Sequence, residues 1–334
     1  MPHLSGRIRV LLLTAIALVA LAFAALTLVV RANPAVNMPA LVLAVGSPYT
    51  ALGALAVLVL LLLRRRVLLS IIAAAVVTAS LAVQLSWYYS GRPPEVRDHA
   101  TIRMLSANLF KGKADPSSLV RFAKENADVI TVAELTPEAV ERFSRVGINE
   151  TFAHSLLMPG PGAGGIGIWS RYPLAALSAP KLWRVRMPGA RLSVPGVRFD
   201  PLVASVHVMS PVAGDQNTVD DWRLGMASAK EQLTFFGRVA GPAAVIIGGD
   251  YNSTPDLRQF RDLLTDGYRD AVEQTGAGFA PTYPSNRWYP PVITIDHVLT
   301  RNAAAKSIRT VDIPGSDHRA LLATIKVPLD PTAS

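Results

Sequence analysis

The fold of most of this chain is decided by the stretch Ala244-Val245-Ile246-Ile247-Gly248-Gly249-Asp250-Tyr251-Asn252. Its first four residues form a short apolar run, which predicts a buried strand. The strand leads into two glycines and then into Asp250 and Asn252. Polar groups beside a buried strand are costly unless they are paired or bind a ligand, so this strand end is a candidate functional site.

Five further strand ends combine an apolar run with a polar group. Their sequences are Ser106-Ala107-Asn108, Val132-Ala133-Glu134, Val206-His207-Val208, Ile295-Asp296-His297 and Ser316-Asp317-His318. Polar groups that arrive from different strands could converge at one edge of a sandwich of sheets. His297 directly follows Asp296 on its strand, so we expect it to point to the opposite face.

Each of these residues also has an ordinary structural interpretation. Asn108 could end a strand, Glu134 could start a helix, and His207 could be a hydrogen-bonded core histidine. Gly249-Asp250 could form a turn, and Asp317 could cap a helix. The functional interpretation depends on the whole set, because every member lies beside a predicted strand.

The part of the chain after residue 91 combines many short strands with few helices. Strands are predicted at 101–107, 129–133, 165–169, 203–208, 244–247, 293–299, 308–313 and 320–326, and helices at 116–126, 220–239 and 256–264. Asp115 as N-cap and Pro116 as first residue mark the start of the first helix. This pattern predicts a two-sheet α/β sandwich covered by helices.

In their order along the chain, these motifs resemble the endonuclease/exonuclease/phosphatase superfamily, which has the DNase I-like fold. The resemblance covers about Thr101 to Val327, and its strongest parts are Gly249-Asp250-Tyr251-Asn252 and Ser316-Asp317-His318. It implies a hydrolase that cleaves phosphate ester bonds with the help of Mg²⁺ or Mn²⁺. The membrane-bound bacterial members of the superfamily are the most similar.

The resemblance implies a role for each motif residue. The metal residues would be Asn108, Glu134 and Asp317, and the catalytic residues would be His207, Asp250, Asn252, Asp296 and His318. The resemblance makes Glu134 the best Mg²⁺ ligand among them, and one or two protein carboxylates suffice because Mg²⁺ keeps several waters. Whether Asp250 or His318 is the general base stays open.

The substrate stays open among nucleic acid, a phospholipid headgroup and a small phosphodiester, because one such site serves many substrates. A phosphodiesterase is favoured, with a phosphomonoesterase as the enzyme alternative. A catalytically inactive binding module of the cell envelope is disfavoured, since no motif residue is missing. Trp288 and Tyr289 could stack on a base or insert at a lipid interface, but packing against the domain is favoured.

Residues 1–91 predict a membrane anchor ahead of the catalytic domain at residues 92–334. Apolar runs at about 8–30, 38–63 and 67–89 are each long enough to span a bilayer, which gives three transmembrane helices. A cleaved first segment or a hairpin in the second run is the alternative. The last run ends in an aromatic group, Trp87-Tyr88-Tyr89, that is expected at the membrane interface.

The arginines predict the orientation of this anchor. Arg7 and Arg9 precede the first run, and Arg64, Arg65 and Arg66 separate the second from the third. Both clusters are expected on the cytoplasmic side. With three spans, the protein would be a multi-pass protein of the cell membrane whose catalytic domain lies outside the cytoplasm, and the lipid bilayer would be its partner.

The charge is unevenly distributed. Residues 1–91 hold six of the 33 basic residues and none of the 24 acidic ones, so the remainder has 27 basic and 24 acidic residues, a net charge of +3. It has no clustered basic surface of the kind that a dedicated DNA-binding domain carries. The lack of cysteine excludes disulfides and thiolate chemistry, and the uncharged apolar runs disfavour a transporter. No protein partner is predicted.

Overall fold

The computed structural model describes residues 6–178, 184–213 and 218–333. These residues form two compact units. One contains the N-terminal helices up to Ser86 together with Asp256–Arg258, and the other contains Trp87–Pro255 and the chain from Gln259 onward. The side chain of Arg7, part of the predicted cytoplasmic cluster, lies outside the described part of the structure.

Four helices account for the first part of the chain: α1 (Gly6–Ala32), α2 (Met38–Val45), α3 (Ser47–Leu63) and α4 (Val67–Tyr88). The hydroxyls of Thr27 in α1 and Thr50 in α3 are 2.9 Å apart, so these two polar groups satisfy each other between apolar helices. The carboxylate of Asp256 in the same unit accepts hydrogen bonds from Arg31, Ser47 and Gln84.

The second apolar run is not a single straight helix but forms α2 and α3, and the prediction of three spans stays a prediction. α2 and α3 meet at Gly46 with a bend of 61°. Pro48 explains the break, because it lacks the backbone N–H that would continue the helical hydrogen bonds. Among the described residues, α1 and α4 are long and apolar enough to cross a membrane, and the bent pair would add a third candidate span if it counts as one.

Two six-stranded sheets form the second unit, which confirms the predicted two-sheet α/β sandwich. The first sheet has the order β11-β12-β1-β2-β4-β3, and the second has the order β5-β6-β7-β8-β10-β9. The strands of the first sheet are β1 (His99–Asn108), β2 (Val129–Ala133), β3 (His154–Met158), β4 (Ile166–Ser170), β11 (Ala304–Asp312) and β12 (Arg319–Pro328). Those of the second are β5 (Leu174–Ala176), β6 (Gly189–Leu192), β7 (Leu202–His207), β8 (Val245–Asp250), β9 (Arg269–Asp270) and β10 (Asp296–Arg301).

Six helices connect these strands among the described residues. They are α5 (Pro116–Asn126), α6 (Pro137–Arg145), α7 (Ile148–Thr151), α8 (Thr218–Ala240), α9 (Arg258–Arg261) and α10 (Ala271–Thr275). The helix predicted at 256–264 is wrong, because only the single turn α9 forms there. Buried Leu257, Phe260 and Leu263 recur every third residue, a spacing that the following turns satisfy without a longer helix.

The core lies between the inner faces of the two sheets. Ile102 and Met104 of β1 and Ile246 of β8 belong to one cluster and are fully buried. A second cluster joins α5 and α6 to the outer face of the first sheet, with Leu119 and Phe143 at its centre. Close packing on these faces fixes the strands, and with them the positions of the groups at the strand ends.

Tyr88 belongs to the core between the sheets and not to a membrane-interface belt. Its side chain is only 3% exposed and packs edge-on against Phe279, with ring centroids 5.2 Å apart. Its carbonyl accepts a hydrogen bond from the backbone N–H of Gly278. The aromatic group at the end of α4 therefore contributes to the stability of the sandwich.

Candidate active site

The register of the second sheet places three of the motif residues side by side. β7 runs parallel to β8 and pairs His207 with Asp250, whereas β10 runs antiparallel to β8 and pairs Asp296 with Asp250. In the first sheet, β1 runs parallel to β2, so that Asn108 is level with Ala133 and Glu134 follows directly. The polar groups thus collect at one edge of the sandwich, as the sequence predicts.

Two of these residues have a left-handed backbone, which few non-glycine residues adopt. Glu134 has a φ of 59° and Asn252 a φ of 46°. Such conformations cost about 1 kcal/mol or more and are concentrated at functional sites. Here each one turns a side chain back over the strand end that precedes it.

Asn108 bridges two carboxylates. Its amide nitrogen Nδ2 lies 3.2 Å from Oε1 of Glu134 and 3.0 Å from Oδ2 of Asp250. Its oxygen Oδ1 accepts a hydrogen bond from the N–H of Phe110, which fixes the orientation of the amide. In this arrangement Asn108 positions the carboxylates through its nitrogen, so its assignment as a metal ligand stays a prediction.

The other oxygen of Glu134 is also held. Oε2 accepts a hydrogen bond of 2.6 Å from the backbone N–H of Lys111. Phe110 and Lys111 both have positive φ values, which turn the chain after β1 so that this N–H faces the carboxylate. The sequence motifs gave no signal for this contact, because it comes from the backbone.

His318 and Asp296 form a buried pair. Nδ1 of His318 lies 2.8 Å from Oδ2 of Asp296, and Nε2 lies 3.8 Å from Oδ2 of Asp250. Burial opposes the protonated ring, but Asp296 and Asp250 outweigh it and raise the pKa of His318 to about 10. The ring of Tyr283, which the sequence analysis missed, lies over His318 with centroids 4.9 Å apart.

Asp250 lies at the centre of the cluster and is 1% exposed. Its Oδ1 accepts a hydrogen bond from the N–H of Asn252, and its Oδ2 lies 3.8 Å from Nε2 of His207. Burial and the charge of Asp296 raise the pKa of Asp250 to about 6, although the two histidines oppose the shift. A carboxylate with a pKa near neutrality is suited to accept a proton.

Asp317 and Ser316 complete the edge. Asp317 lies 3.9 Å from His318, and burial raises its pKa against the opposing effect of that histidine. The hydroxyl of Ser316 donates to the carbonyl of Asn108 and accepts the N–H of His318. Ser316 therefore ties the last motif to the first, a role that the sequence left unassigned.

All eight predicted site residues thus belong to one connected cluster. Asn252 also donates to the carbonyl of Val208, and Nδ1 of His207 lies 3.1 Å from the carbonyl of Ala163, which lies in the loop between β3 and β4. His297 is directed elsewhere, as predicted: its nitrogens contact Asp270 and the carbonyl of Ser253.

The residues present fit a hard divalent cation. Among the described residues, Asp250, Asp296 and His318 form a group whose ligand atoms lie within 4.8 Å of one another. The hydrogen bond between Nδ1 of His318 and Asp296 leaves Nε2 of His318 facing Asp250. Glu134 and Asp317 offer the carboxylate oxygens that Mg²⁺ prefers.

A two-sheet sandwich with carboxylates, an amide and two histidines at one edge defines a phosphoesterase that uses a divalent metal. The chain belongs to the endonuclease/exonuclease/phosphatase family, whose sequence profile matches residues 105–318. It is accordingly a hydrolase that acts on phosphate ester bonds.

Solved structures share the fold at low sequence identity. The endonuclease/exonuclease/phosphatase from Bacteroides vulgatus is 14% identical with a TM-score of 0.52, over 68% of this chain and 99% of that one. D. rerio TDP2 complexed with a single-strand DNA product is 17% identical with a TM-score of 0.53, over 68% and 99%. An AP endonuclease from Archaeoglobus fulgidus is 13% identical with a TM-score of 0.52, over 66% and 98%. Comparison with curated protein sequences finds no match.

Proposed function

We propose that the protein is a membrane-anchored, Mg²⁺-dependent phosphodiesterase whose catalytic domain lies outside the cytoplasm. The observation that supports the chemistry most is the hydrogen-bonded chain from Glu134 through Asn108 to Asp250, with His207 and His318 within 4 Å of Asp250. This series of hydrogen bonds joins Glu134, one of the carboxylates expected to hold the metal, to the groups expected to act on the attacking water.

Glu134 and Asp317 would hold the Mg²⁺, with Asn108 keeping Glu134 in place. When bound, the metal supplies positive charge that stabilises the negative charge developing on the phosphoryl oxygens. His318 is held in its protonated form by Asp296 and donates a hydrogen bond to a phosphoryl oxygen from Nε2. His207 flanks the same position from β7.

Asp250 is the better candidate for the general base. The raised pKa of His318, about 10, keeps that ring protonated near neutral pH, so it cannot accept a proton there. Asp250 has a pKa raised to about 6 and is therefore ionised but weakly basic at pH 7 to 8. Asn252 orients the carboxylate through its backbone N–H and its side-chain amide.

A phosphodiester fits the charge of the site better than a phosphomonoester. Four carboxylates lie in the cluster, and the basic side chains that the described structure places among them are two histidines. A diester brings one negative charge, whereas a monoester brings up to two and would need more positive charge to offset the repulsion. The phosphomonoesterase therefore stays the second candidate.

The proposed location of the catalytic domain depends on how many of the helices cross the membrane. α1 and α4 are apolar enough to span a bilayer, and the three-span arrangement would place the catalytic domain across the membrane from the arginine clusters. The two-span arrangement would leave it in the cytoplasm.

The full chain in a phosphate-free detergent should be assayed on bis(4-nitrophenyl) phosphate and on 4-nitrophenyl phosphate, with Mg²⁺ and with EDTA. We expect Mg²⁺-dependent hydrolysis that is faster on the diester and is lost in Asp250→Ala/His318→Ala. Faster hydrolysis of the monoester would support the second candidate. A folded protein with no activity on either compound or on plasmid DNA would favour the inactive binding module.

A further inference from the structure

Apolar side chains are exposed on both sides of the catalytic cluster. Met209 and Val212 follow β7, with 51% and 68% of their surface exposed, and Trp288, Tyr289 and Val292 precede β10, with Trp288 95% exposed. We call these five residues the apolar rim. Packing was the favoured interpretation of Trp288, and the structure corrects it. Exposing these five apolar side chains to water is costly unless they contact a binding partner.

The register places both halves of the rim at the active-site edge. The C-terminal end of β7 and the N-terminal end of β10 lie on either side of the C-terminal end of β8, where Asp250 is located. The backbone N–H of Val208 donates a hydrogen bond to the backbone carbonyl of Asp250. The loop that contains Met209 therefore begins beside Asp250. A partner with a flat surface that reaches the catalytic cluster would contact both the loop with Met209 and the loop with Trp288.

The Trp288 loop has a firm base. Tyr283 pairs with Ile293 across the base of the loop, and Ser285 bonds to the carbonyls of Ser316 and Asp317. The base is therefore tied directly to the catalytic segment, and Trp288 protrudes from it with Tyr289 as an edge-on neighbour at 5.5 Å. A large apolar ring that is 95% exposed thus lies in a loop whose base is fixed to the catalytic segment.

We propose that the apolar rim inserts into the surface of a phospholipid bilayer, so that the phosphodiester hydrolysed by the site is that of a phospholipid headgroup. This inference rests on the proposed function and names its substrate class. Water adds to the phosphorus, one P–O ester bond breaks, and the leaving alkoxide takes up a proton, which gives a phosphomonoester and an alcohol.

The composition of the rim favours lipid over nucleic acid. Trp and Tyr are enriched at membrane interfaces, where the ring is buried and its polar atom stays hydrated. Single strands are bound by stacked aromatic rings and a basic groove. The rim instead includes aliphatic Met209, Val212 and Val292, which cannot stack on bases, and residues 92–334 have a net charge of only +3.

The nearby positive charges and the apolar helices of the same chain also favour a lipid bilayer as the partner of the apolar rim. Arg287 next to Trp288 and Lys111 beside Glu134 are both exposed and suit the anionic headgroup region of a bilayer. The same chain has helices that are apolar enough to cross a membrane, which would keep the catalytic unit within reach of lipid.

The test uses the full chain in proteoliposomes of phosphatidylcholine and phosphatidylglycerol, with ³¹P NMR to follow conversion of phosphodiester into phosphomonoester. Trp288→Ser should lower kcat/KM for the lipid about tenfold, mainly through KM, because the lost ring no longer anchors the site at the surface. Hydrolysis of bis(4-nitrophenyl) phosphate should change less than about twofold. Trp288→Phe should retain most lipid activity, and Leu224→Ser, an exposed apolar position on α8 outside the rim, should match the unaltered chain.

Three results would overturn the inference. The chain could hydrolyse the soluble diester but no phospholipid, Trp288→Ser could leave lipid hydrolysis unchanged, or Trp288→Ser could instead reduce hydrolysis of a single-stranded oligonucleotide, which would assign the rim to nucleic acid. These outcomes leave the proposed phosphodiesterase intact. If the unaltered chain hydrolyses neither the soluble diester nor any lipid with Mg²⁺, the proposed function fails and the inference falls with it.

Discussion

At the scale of single residues, the site depends on ionisable groups that have little access to water. Asp250, Asp296 and His318 are each at most 5% exposed, so their charges interact strongly. The hydrogen bond that Nδ1 of His318 donates to Asp296, together with the nearby Asp250, holds His318 in its protonated form. Each charge in the cluster is thus set by its neighbours, and a change in one residue alters the protonation of another.

Replacing Asp296 with Asn should shift the pH dependence of the reaction. Asp296 is the strongest of the groups that raise the pKa of His318, so its neutralisation lowers that pKa. The protonated ring is required and is lost as pH rises through its pKa, so the alkaline limb of kcat/KM should move to lower pH by about 1 to 2 units.

The pH–rate profile of the full chain with Mg²⁺ measures this shift. Asp220→Asn, an exposed carboxylate on α8, serves as the control and should leave the limb in place. An unchanged alkaline limb in Asp296→Asn would refute the role of the pair in protonating His318.

The convergence of the eight candidate residues could be predicted from the sequence because, as a set, they all lie beside apolar runs. The position of Tyr283 beside the site could not be predicted, because a tyrosine in a loop belongs to no periodic sequence pattern. The contact of Glu134 with the N–H of Lys111 could not either, because it depends on left-handed backbone after β1.

At the scale of elements, β8 is the strand on which the site is built, and Gly249 is what lets it lie against β7. A Cβ added at Gly249 would lie 2.0 Å from the backbone oxygen of Val206, a separation that no side-chain rearrangement can relieve. The parallel pairing of β7 and β8 that sets His207 beside Asp250 therefore requires a glycine at this position.

Gly249→Ala should destabilise the protein by about 3 kcal/mol or more, because the two strands must separate to accept the methyl group. Gly196→Ala is the matched control: its φ is also positive, but an added Cβ meets nothing within 4 Å, so the cost is only about 1–2 kcal/mol of backbone strain. Thermal unfolding of the full chain in detergent compares the two. Similar melting temperatures for both variants would contradict the packing argument.

The sequence predicted the central strands better than the outer ones. β2, β7 and β8 are almost entirely buried, and β1 and β12 are buried over most of their length; all five were found within a few residues. The sequence analysis missed β3, β5, β6 and β9. These strands are short or partly exposed, and their apolar and polar residues alternate no more regularly than those of loops. The 256–264 helix was wrong because its apolar residues fit a turn as well as a helix.

At the scale of the whole molecule, the side of the membrane on which the proposed anchored domain would lie depends on one break in the apolar helices. The bend of 61° at Gly46 makes the second apolar run either one bent span or a segment that returns to the side it entered from. The first case gives an odd number of spans and the second an even number. Hydropathy could predict the apolar runs but not this bend, which Pro48 imposes locally.

Reporter fusions separate the two arrangements. With three spans, alkaline phosphatase fused after Ser334 should be active and green fluorescent protein there should be dark, whereas fusions to a chain truncated after Arg66 should give the opposite pattern. Because the two reporters should give opposite signals after Arg66 and after Ser334, each fusion site serves as the control for the other. The reversed pattern at both sites would show two spans and a cytoplasmic catalytic domain.

The central claim is that Glu134 holds the divalent metal with which the chain hydrolyses a phosphodiester. The most direct measurement is the dependence of bis(4-nitrophenyl) phosphate hydrolysis on Mg²⁺ concentration for the full chain, Glu134→Gln and Glu138→Gln. Glu138 is an exposed carboxylate at the start of α6 and provides the same substitution four residues away. We predict that Glu134→Gln loses about a hundredfold or more in activity and needs more Mg²⁺, while Glu138→Gln matches the unaltered chain. Equal activation curves for all three proteins would contradict the account.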